Sequence, residues 1–270
     1  MPAAHDETEE LIAVAHALAD AARPPILSRF RAADLAADNK DEGGFDPVTA
    51  ADREAETAMR AVLAERRPKD GILGEEHGAE PGTSGLTWVL DPIDGTRAFI
   101  AGAPVFGVLV AVHDGKRPIL GVVDQPYTGE RFVGAADAGL AEMRRGGERR
   151  ALGVRRGGAL EEATLLTTYP EVGTEAEHAG FRAVADRARL VRYGLDCYGY
   201  ALLALGQVDL VIEAGLAPYD IQAPMAVVEA AGGIVTDWRG GPCDQGGQAI
   251  AAADPALHEA ALRLLEPYAA

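Results

Sequence analysis

The feature that constrains this chain most is an apolar run ending on two acids. In TWVLDPIDGTRAF, residues 87–99, a strand-like stretch leads to Asp91 and Asp94, and Gly95 and Thr96 follow. Removing an unpaired carboxylate from water is costly, so such a strand end needs a cation or an open edge. Pro92 fixes the direction of the chain as it leaves the strand, which lets the two flanking acids converge on one point. The Ile93 carbonyl lies between them. Three hard oxygen donors this close in sequence suit Mg2+, which prefers carboxylate, carbonyl and water. Gly95-Thr96 then reads as a helix start whose free backbone N–H groups offer a seat for phosphate. An Asp-rich turn that merely caps a helix fits DxxDGT on its own equally well.

The surroundings narrow the choice. The chain has 270 residues, 48% of them hydrophobic, enough to bury a large core. Its 25 Lys and Arg against 42 Asp and Glu give a net charge of −17, a field that repels nucleic acid and anionic lipid. An acidic protein that handles a phosphorylated substrate needs local positive charge, and carboxylate-held metal ions supply it. The two cysteines, Cys197 and Cys243, are too few for a disulfide framework and lack metal-ligand spacing, pointing to a reducing compartment. The start of the chain has no basic segment before an apolar core, and no window approaches the ~18 apolar residues of a membrane span. The expectation is a cytoplasmic protein.

Along the chain, Leu11, Val14, Ala15 and Leu18 recur at helical spacing behind Asp6, a candidate N-cap, in a helix expected to stop near Pro24-Pro25. Thr49 and Asp52 form a capping-box start for a helix that turns Met59, Val62 and Leu63 inward. Short strand-like runs follow at GILGEE, TWVLD, VFGVLVAVH, PILGVVD and ERFVG. The arginines and glycines of 143–158 read as a solvated turn rather than a nucleic-acid patch. Beyond them strands and helices alternate, from ATLLTT at 163–168 to a last helix from Pro255. This predicts an N-terminal α+β half, 1–145, carrying Glu75 and DPIDGT, and a C-terminal α/β half, 146–270, carrying Glu213 and Asp220, packed as one catalytic unit.

Three further acids extend the first pair. Glu75, in ILGEEHG, follows an apolar run as Asp91 does, so neighbouring strands can deliver both to one edge; a surface turn is the plain alternative. Asp220 and Asp52 each stand in the first turn of a helix, where the dipole stabilises an acid with or without metal. Taken together, GEE, DPIDGT and PYDIQAPMAVVEAAGG resemble the inositol monophosphatase family of Mg2+-dependent, lithium-sensitive phosphomonoesterases, in order and approximate spacing over nearly the whole chain. DPIDGTRAFIAGAP, GVVDQPYTGERFVG, RYGLDCYGYALLALGQVDLVIEAGLAPYD and GGPCDQGG are most similar to its histidinol-phosphate phosphatase branch.

The resemblance implies an α/β (α+β) fold, a layered αβαβα sandwich of the inositol monophosphatase and sugar phosphatase type, and a homodimer. It implies two or three Mg2+ ions held by Glu75, Asp91, the Ile93 carbonyl, Asp94 and Asp220, with inhibition by Li+. Gly95 and Thr96 match the phosphate-binding turn, Asp52 and Thr49 the acid and hydroxyl behind it, and Glu213 the acid meeting the organic part of the substrate. Lys40 sits near the position of the family's mobile-loop lysine, in a loop one residue longer than the common pattern.

No Ser/His/Asp or Cys/His set stands out, so the expected reaction is direct in-line attack by a metal-activated water, with Glu75, Thr96 and Asp52 handling its proton and no phosphoenzyme. The six histidines share no ligand spacing and are expected at the surface or in structural roles. L-Histidinol phosphate carries an ammonium and an imidazole, for which Glu213 and Asp196 are the candidate partners, with Tyr198 or Tyr219 near. Asp196 reads equally well as the N-cap of the helix it begins. Arg97 is open to substrate, a second subunit or solvent. Tyr193, Trp88 and Trp238 are expected in the core. Inositol 1-phosphate or another small phosphomonoester is the alternative substrate, and a non-catalytic binding or regulatory relative is the alternative from another class.

Overall fold

The structure, a computed structural model, describes residues 2–33, 37–39, 47–169 and 171–270. Helix α1 (Pro2–Arg29) leads to a short hairpin, β1 (Ala37–Asn39) with β2 (Pro47–Thr49), and then to α2 (Ala50–Arg66). Strands β3 (Gly71–Gly74), β4 (Gly78–Glu80) and β5 (Thr87–Asp94), helix α3 (Thr96–Ile100), and strands β6 (Gly107–His113), β7 (Pro118–Gln125), β8 (Glu130–Ala135), β9 (Leu140–Arg145) and β10 (Glu148–Ala151) complete the first part. After it come β11 (Thr164–Thr167), α4 (Glu175–Ala185), β12 (Leu190–Tyr193), α5 (Asp196–Ala204), β13 (Leu210–Leu216), α6 (Pro218–Ala230), β14 (Ile234–Thr236), β15 (Gly247–Ala252) and α7 (Pro255–Leu265).

Eight strands form one sheet, ordered β10-β9-β8-β7-β6-β5-β3-β4, in which only β3 and β5 run parallel. Five form the second, ordered β12-β11-β13-β15-β14. Both sheets are covered on both faces. On β5, Trp88 and Leu90 face a core shared with α1 and α2, while Val89 faces the core that α5 and α6 fill between the sheets. That double burial explains why the strand reads as a continuous apolar run. A third core, with Phe181, Trp238 and Leu257, lies where α4 and α7 cover the second sheet. The result is the five-layer α/β/α/β/α arrangement.

Helix α6 approaches the first sheet closely because two paired glycines make room. Gly121 on β7 and Gly134 on β8 are register partners; a Cβ would lie 2.3 Å from the Ala223 carbonyl oxygen at the first and 2.5 Å from that of Ala226 at the second. Gly134→Ala is therefore expected to destabilise the protein by about 1–3 kcal/mol through overpacking, read as a melting temperature several degrees lower. An unchanged melting temperature would mean that the helix can shift freely off the sheet.

Four local expectations need correction. First, α1 begins at Pro2, upstream of Asp6, and continues through Pro24 and Pro25. The cost of prolines in a helix interior is offset by burial of Ile26 and Phe30, the latter packed on Phe99 and Phe106 with ring centroids 5.4 and 4.8 Å away. Second, part of the arginine-rich stretch is not a turn but the hairpin β9–β10, joined through Gly146-Gly147. Its period-2 pattern was hidden because arginine stems can cover apolar surface as hydrocarbons do. Third, β5 runs on through Pro92 to Asp94. Fourth, Tyr193 is 41% exposed on the edge strand β12, whereas Trp88 and Trp238 are fully buried. No helix among the described residues is long and apolar enough to cross a membrane.

Candidate active site

The site forms where the end of β5 meets the N-termini of α5 and α6. Asp91 pairs with Leu109 of β6 and Asp94 with Gly107, so three steps along β5 match two along β6. This bulge contains Pro92, whose missing N–H is harmless where the ladder is broken. In a regular strand residues three apart face opposite sides; the extra residue turns Asp94 back to the side of Asp91. One turn-like hydrogen bond steadies the arrangement, from Ile93 N–H to Asp91 Oδ1 at 3.0 Å. On the parallel neighbour β3, Gly74 pairs with Leu90, which brings Glu75 beside Asp91.

Helix α6 contributes Asp220 from its first turn, where its Oδ2 accepts the Ala217 N–H at 2.7 Å. Helix α5 contributes a backbone donor: Cys197 N–H reaches Asp94 Oδ2 at 2.6 Å. Both helices thus turn positive dipole ends toward the acids. Carboxylate oxygens of Asp91, Asp94 and Asp220 all lie within 4.8 Å of one another.

The charges shape one another. Burial, then repulsion from Glu75, Asp94 and Asp220, pushes the Asp91 carboxyl well above the usual range. Asp94 is raised by burial and by Asp196 and Asp220, against the pull of the Cys197 hydrogen bond. Such a cluster is short of positive charge. Its donors are all hard oxygens, and with ligand bonds of about 2.1 Å two oxygens on one Mg2+ lie at most ~4.2 Å apart, close to the spacing found. The carboxylates of Asp91, Asp94 and Asp220 therefore have the chemistry and spacing that suit Mg2+, with Glu75 beside Asp91.

Beside the acids, Gly95 takes a left-handed conformation, φ 83°, as the N-cap of α3. A side chain there would also strike Asp196, whose carboxyl carbon lies 2.9 Å from the ideal Cβ position. Thr96 Oγ1 donates within 3.1 Å of the Ile93 carbonyl and 3.5 Å of Asp52 Oδ1. Asp52 is fully buried and accepts from the Thr49 N–H at 2.9 Å and Thr49 Oγ1 at 2.6 Å, so Thr49, Asp52 and Thr96 form one connected set.

A cavity of ≈ 610 Å³ opens from Asp94, Gly95 and Thr96 toward Asp196, Glu213 and Tyr169, with Arg97 on its wall. Glu213 is 6% exposed and accepts from Thr168 N–H at 2.7 Å, Thr168 Oγ1 at 2.9 Å and Thr167 Oγ1 at 3.2 Å. Burial nevertheless pushes its carboxyl up to about 7, against those hydrogen bonds. Asp196 is pushed up to about 6 by burial, opposed by Arg97. It is not an N-cap: Leu195 holds that position, and Asp196 opens the helix at φ 46°, strained for a residue with a side chain.

Other residues fall differently. Tyr198 lies between the sheets, its hydroxyl donating to Glu130 at 2.5 Å, and Tyr219 packs against the same core; neither lines the cavity. Tyr169 does, and sequence reasoning missed it together with Thr168. The available signal was position: both follow β11, a parallel neighbour of β13, and so emerge at the same sheet edge as Glu213. Lys40 lies outside the described residues.

An acid cluster at a bulged strand end, beside the left-handed Gly95 turn in a five-layer sandwich, is an arrangement suited to metal-assisted hydrolysis, and comparison with known proteins places the chain among phosphatases. Residues 7–270 match the sequence profile of the inositol monophosphatase family. The chain is 40% identical to the chloroplastic bifunctional phosphatase IMPL2 of Arabidopsis thaliana, covering 96% of this chain and 76% of that one. It is 35% identical to the histidinol-phosphatase of Streptomyces coelicolor, covering 93% and 95%. The structure of an inositol monophosphatase from Zymomonas mobilis superposes with a TM-score of 0.83 at 44% identity, covering 96% and 98%. The chain belongs to the inositol monophosphatase family, and it is a phosphoric monoester hydrolase.

Proposed function

We propose that this phosphatase hydrolyses L-histidinol phosphate to L-histidinol and phosphate, as a step of histidine biosynthesis in the cytoplasm. The observation that carries the reading is the pair of acids, Glu213 and Asp196, lining the cavity beyond the Gly95-Thr96 turn. An ammonium and an imidazole are matched by carboxylates, whereas inositol offers only hydroxyls. Similarity to the Streptomyces coelicolor histidinol-phosphatase over 93% of the chain supports the same substrate.

In this reading Glu75, Asp91, the Ile93 carbonyl, Asp94 and Asp220 would hold two or three Mg2+ ions, and Li+ would inhibit the enzyme by competing with them. Cations held there would supply charge neutralisation for the phosphoryl oxygens and would lower the pKa of the attacking water. The chain's own groups do the rest. Backbone N–H groups of Gly95 and Thr96 seat the phosphate, and the Gly95 conformation lets it approach. As the new P–O bond forms and the ester P–O bond breaks, the attacking water gives up one proton, to the Glu75 carboxylate or through Thr96 Oγ1 to Asp52, which Thr49 keeps in place, and a proton from solvent water completes the departing L-histidinol hydroxyl. Arg97, on the cavity wall, adds positive charge near the phosphate, and a homodimer completes the assembly.

The test is phosphate release from L-histidinol phosphate, inositol 1-phosphate and a nucleotide monophosphate, each with and without Mg2+. L-Histidinol phosphate is expected to be strongly preferred. Glu213→Gln should raise its KM about 10–100-fold, the worth of one charged hydrogen bond, and leave inositol 1-phosphate turnover nearly unchanged. Preference for inositol 1-phosphate in the unaltered enzyme would instead identify an inositol phosphatase.

A further inference from the structure

Glu56 is a fully buried carboxylate that no step above uses. It lies one helical turn after Asp52 on α2; Asp52 meets Thr96, at the end of β5, and Glu56 meets the turn that follows β3. Its Oε2 accepts the Glu76 N–H at 2.7 Å and its Oε1 lies 3.3 Å from the His77 N–H. On the other side of Glu75, the Glu75 N–H donates to the Leu90 carbonyl of β5 at 3.2 Å. The two peptide units flanking Glu75 are thus tied, one to the strand that carries Asp91 and one to Glu56.

Glu56 is itself held. Arg60 Nε donates to its Oε1 at 2.7 Å, while the other arms of that guanidinium reach Gly78 O at 2.5 Å and Glu80 Oε1 at 2.6 Å, closing the turn from the far side. Gly74 leaves the space the carboxylate occupies: a Cβ there would sit 2.0 Å from Glu56 Oε1. A buried ion pair is a poor way to gain stability where an apolar pair would serve, so its retention asks for a positional reason.

We infer that Glu56 is a positioning residue: clamped by Arg60, it fixes the Glu75 turn against β5 so that the Glu75 carboxylate is presented beside Asp91. This rests on Glu75 acting as a Mg2+ ligand, as proposed above. Helix α2 then sets two catalytic segments from one face, Thr96 through Asp52 and Glu75 through Glu56. The fall expected on removing such a support is ~10–100-fold in metal affinity.

The test is Mg2+ binding by calorimetry to Glu56→Gln, to Glu75→Gln and to the double variant, with melting in EDTA and KM at saturating Mg2+ alongside. A glutamine keeps the size but turns an N–H donor toward one of the two backbone N–H groups. Glu56→Gln should lower Mg2+ affinity about 10–100-fold, leave KM unchanged and regain turnover at raised Mg2+, and should add nothing in the Glu75→Gln background. Unchanged Mg2+ affinity, or an equal fall in the Glu75→Gln background, overturns the inference and leaves Glu56 a brace of the β3–β4 turn. If Glu75→Gln alone leaves Mg2+ binding intact, the ligand assignment itself fails. Should Glu56→Gln not melt cooperatively, Arg60→Gln reads the same role: a fall in Mg2+ affinity supports it and wild-type affinity overturns it.

Discussion

Asp94→Asn is expected to abolish the dependence on Mg2+ and nearly all turnover while leaving the fold intact. Asparagine keeps the side-chain shape and an oxygen for the Cys197 N–H, which reaches Asp94 at 2.6 Å. It removes one charge from a buried site where Asp196 and Asp220 repel it. Two opposite effects follow. Metal-free Asp94→Asn should melt above the metal-free wild type, because a buried like-charge repulsion is gone. Its kcat/KM should fall by at least ~10³-fold, about 4 kcal/mol of transition-state stabilisation, in the range one metal contact supplies. Phosphate release across a Mg2+ series, with melting in EDTA, reads both. Near-wild-type activity would discard the metal assignment.

Metal-free protein should lose stability as pH rises toward neutrality, and Mg2+ should remove the share of that loss carried by Asp91 and Asp94, the carboxylates that would hold it, whereas the share of Glu213 and Asp196 persists with and without metal. A carboxyl whose pKa is raised in the folded state binds more protons folded than unfolded, so its contribution is fully present below the unfolded pKa and is lost as pH climbs through the folded one. Glu213, raised from 4.5 to about 7, places that loss between roughly pH 4.5 and 7, and Asp196, raised to about 6, adds to it. Glu213 alone corresponds to roughly 3 kcal/mol. Asp91 and Asp94, both raised by burial and by their neighbours, contribute a loss of the same sign.

His16 acts in the opposite sense. Burial, with Arg144 and Arg131 near, lowers its ring to about 4, so its contribution is lost as pH falls below about 6.5. It lies outside the site, so the difference between melting curves in EDTA and in Mg2+ cancels it. That difference should widen steadily from pH 5 to pH 8. A gap independent of pH would show that protons and cations do not compete for these carboxylates.

Much of the site was legible because its residues sit where local rules already place them. The capping box of Thr49 and Asp52, the apolar run into Asp91, and the Asp220 helix start each follow from a few neighbouring residues. What misled was equally local. The prolines of α1 look like a stop, yet packing of Ile26 and Phe30 carries the helix through, and Asp196 looks like a cap but opens its helix in a strained conformation facing the cavity. Tyr169 and Thr168 carry no motif, since their place depends on which strand neighbours β11.

The sequence by itself determined the chemistry: which oxygens are available, that they end apolar strands and begin helices, and that an anionic chain needs cations to hold an anionic ester. Tertiary structure alone decided that they meet. The β5 bulge turns Asp94 toward Asp91, the parallel register of β3 brings Glu75 alongside, and Cys197, 103 residues beyond Asp94, caps that acid from α5. Propensities and caps act over a few residues, whereas convergence across a hundred depends on sheet register and on the burial that pins helices between two sheets.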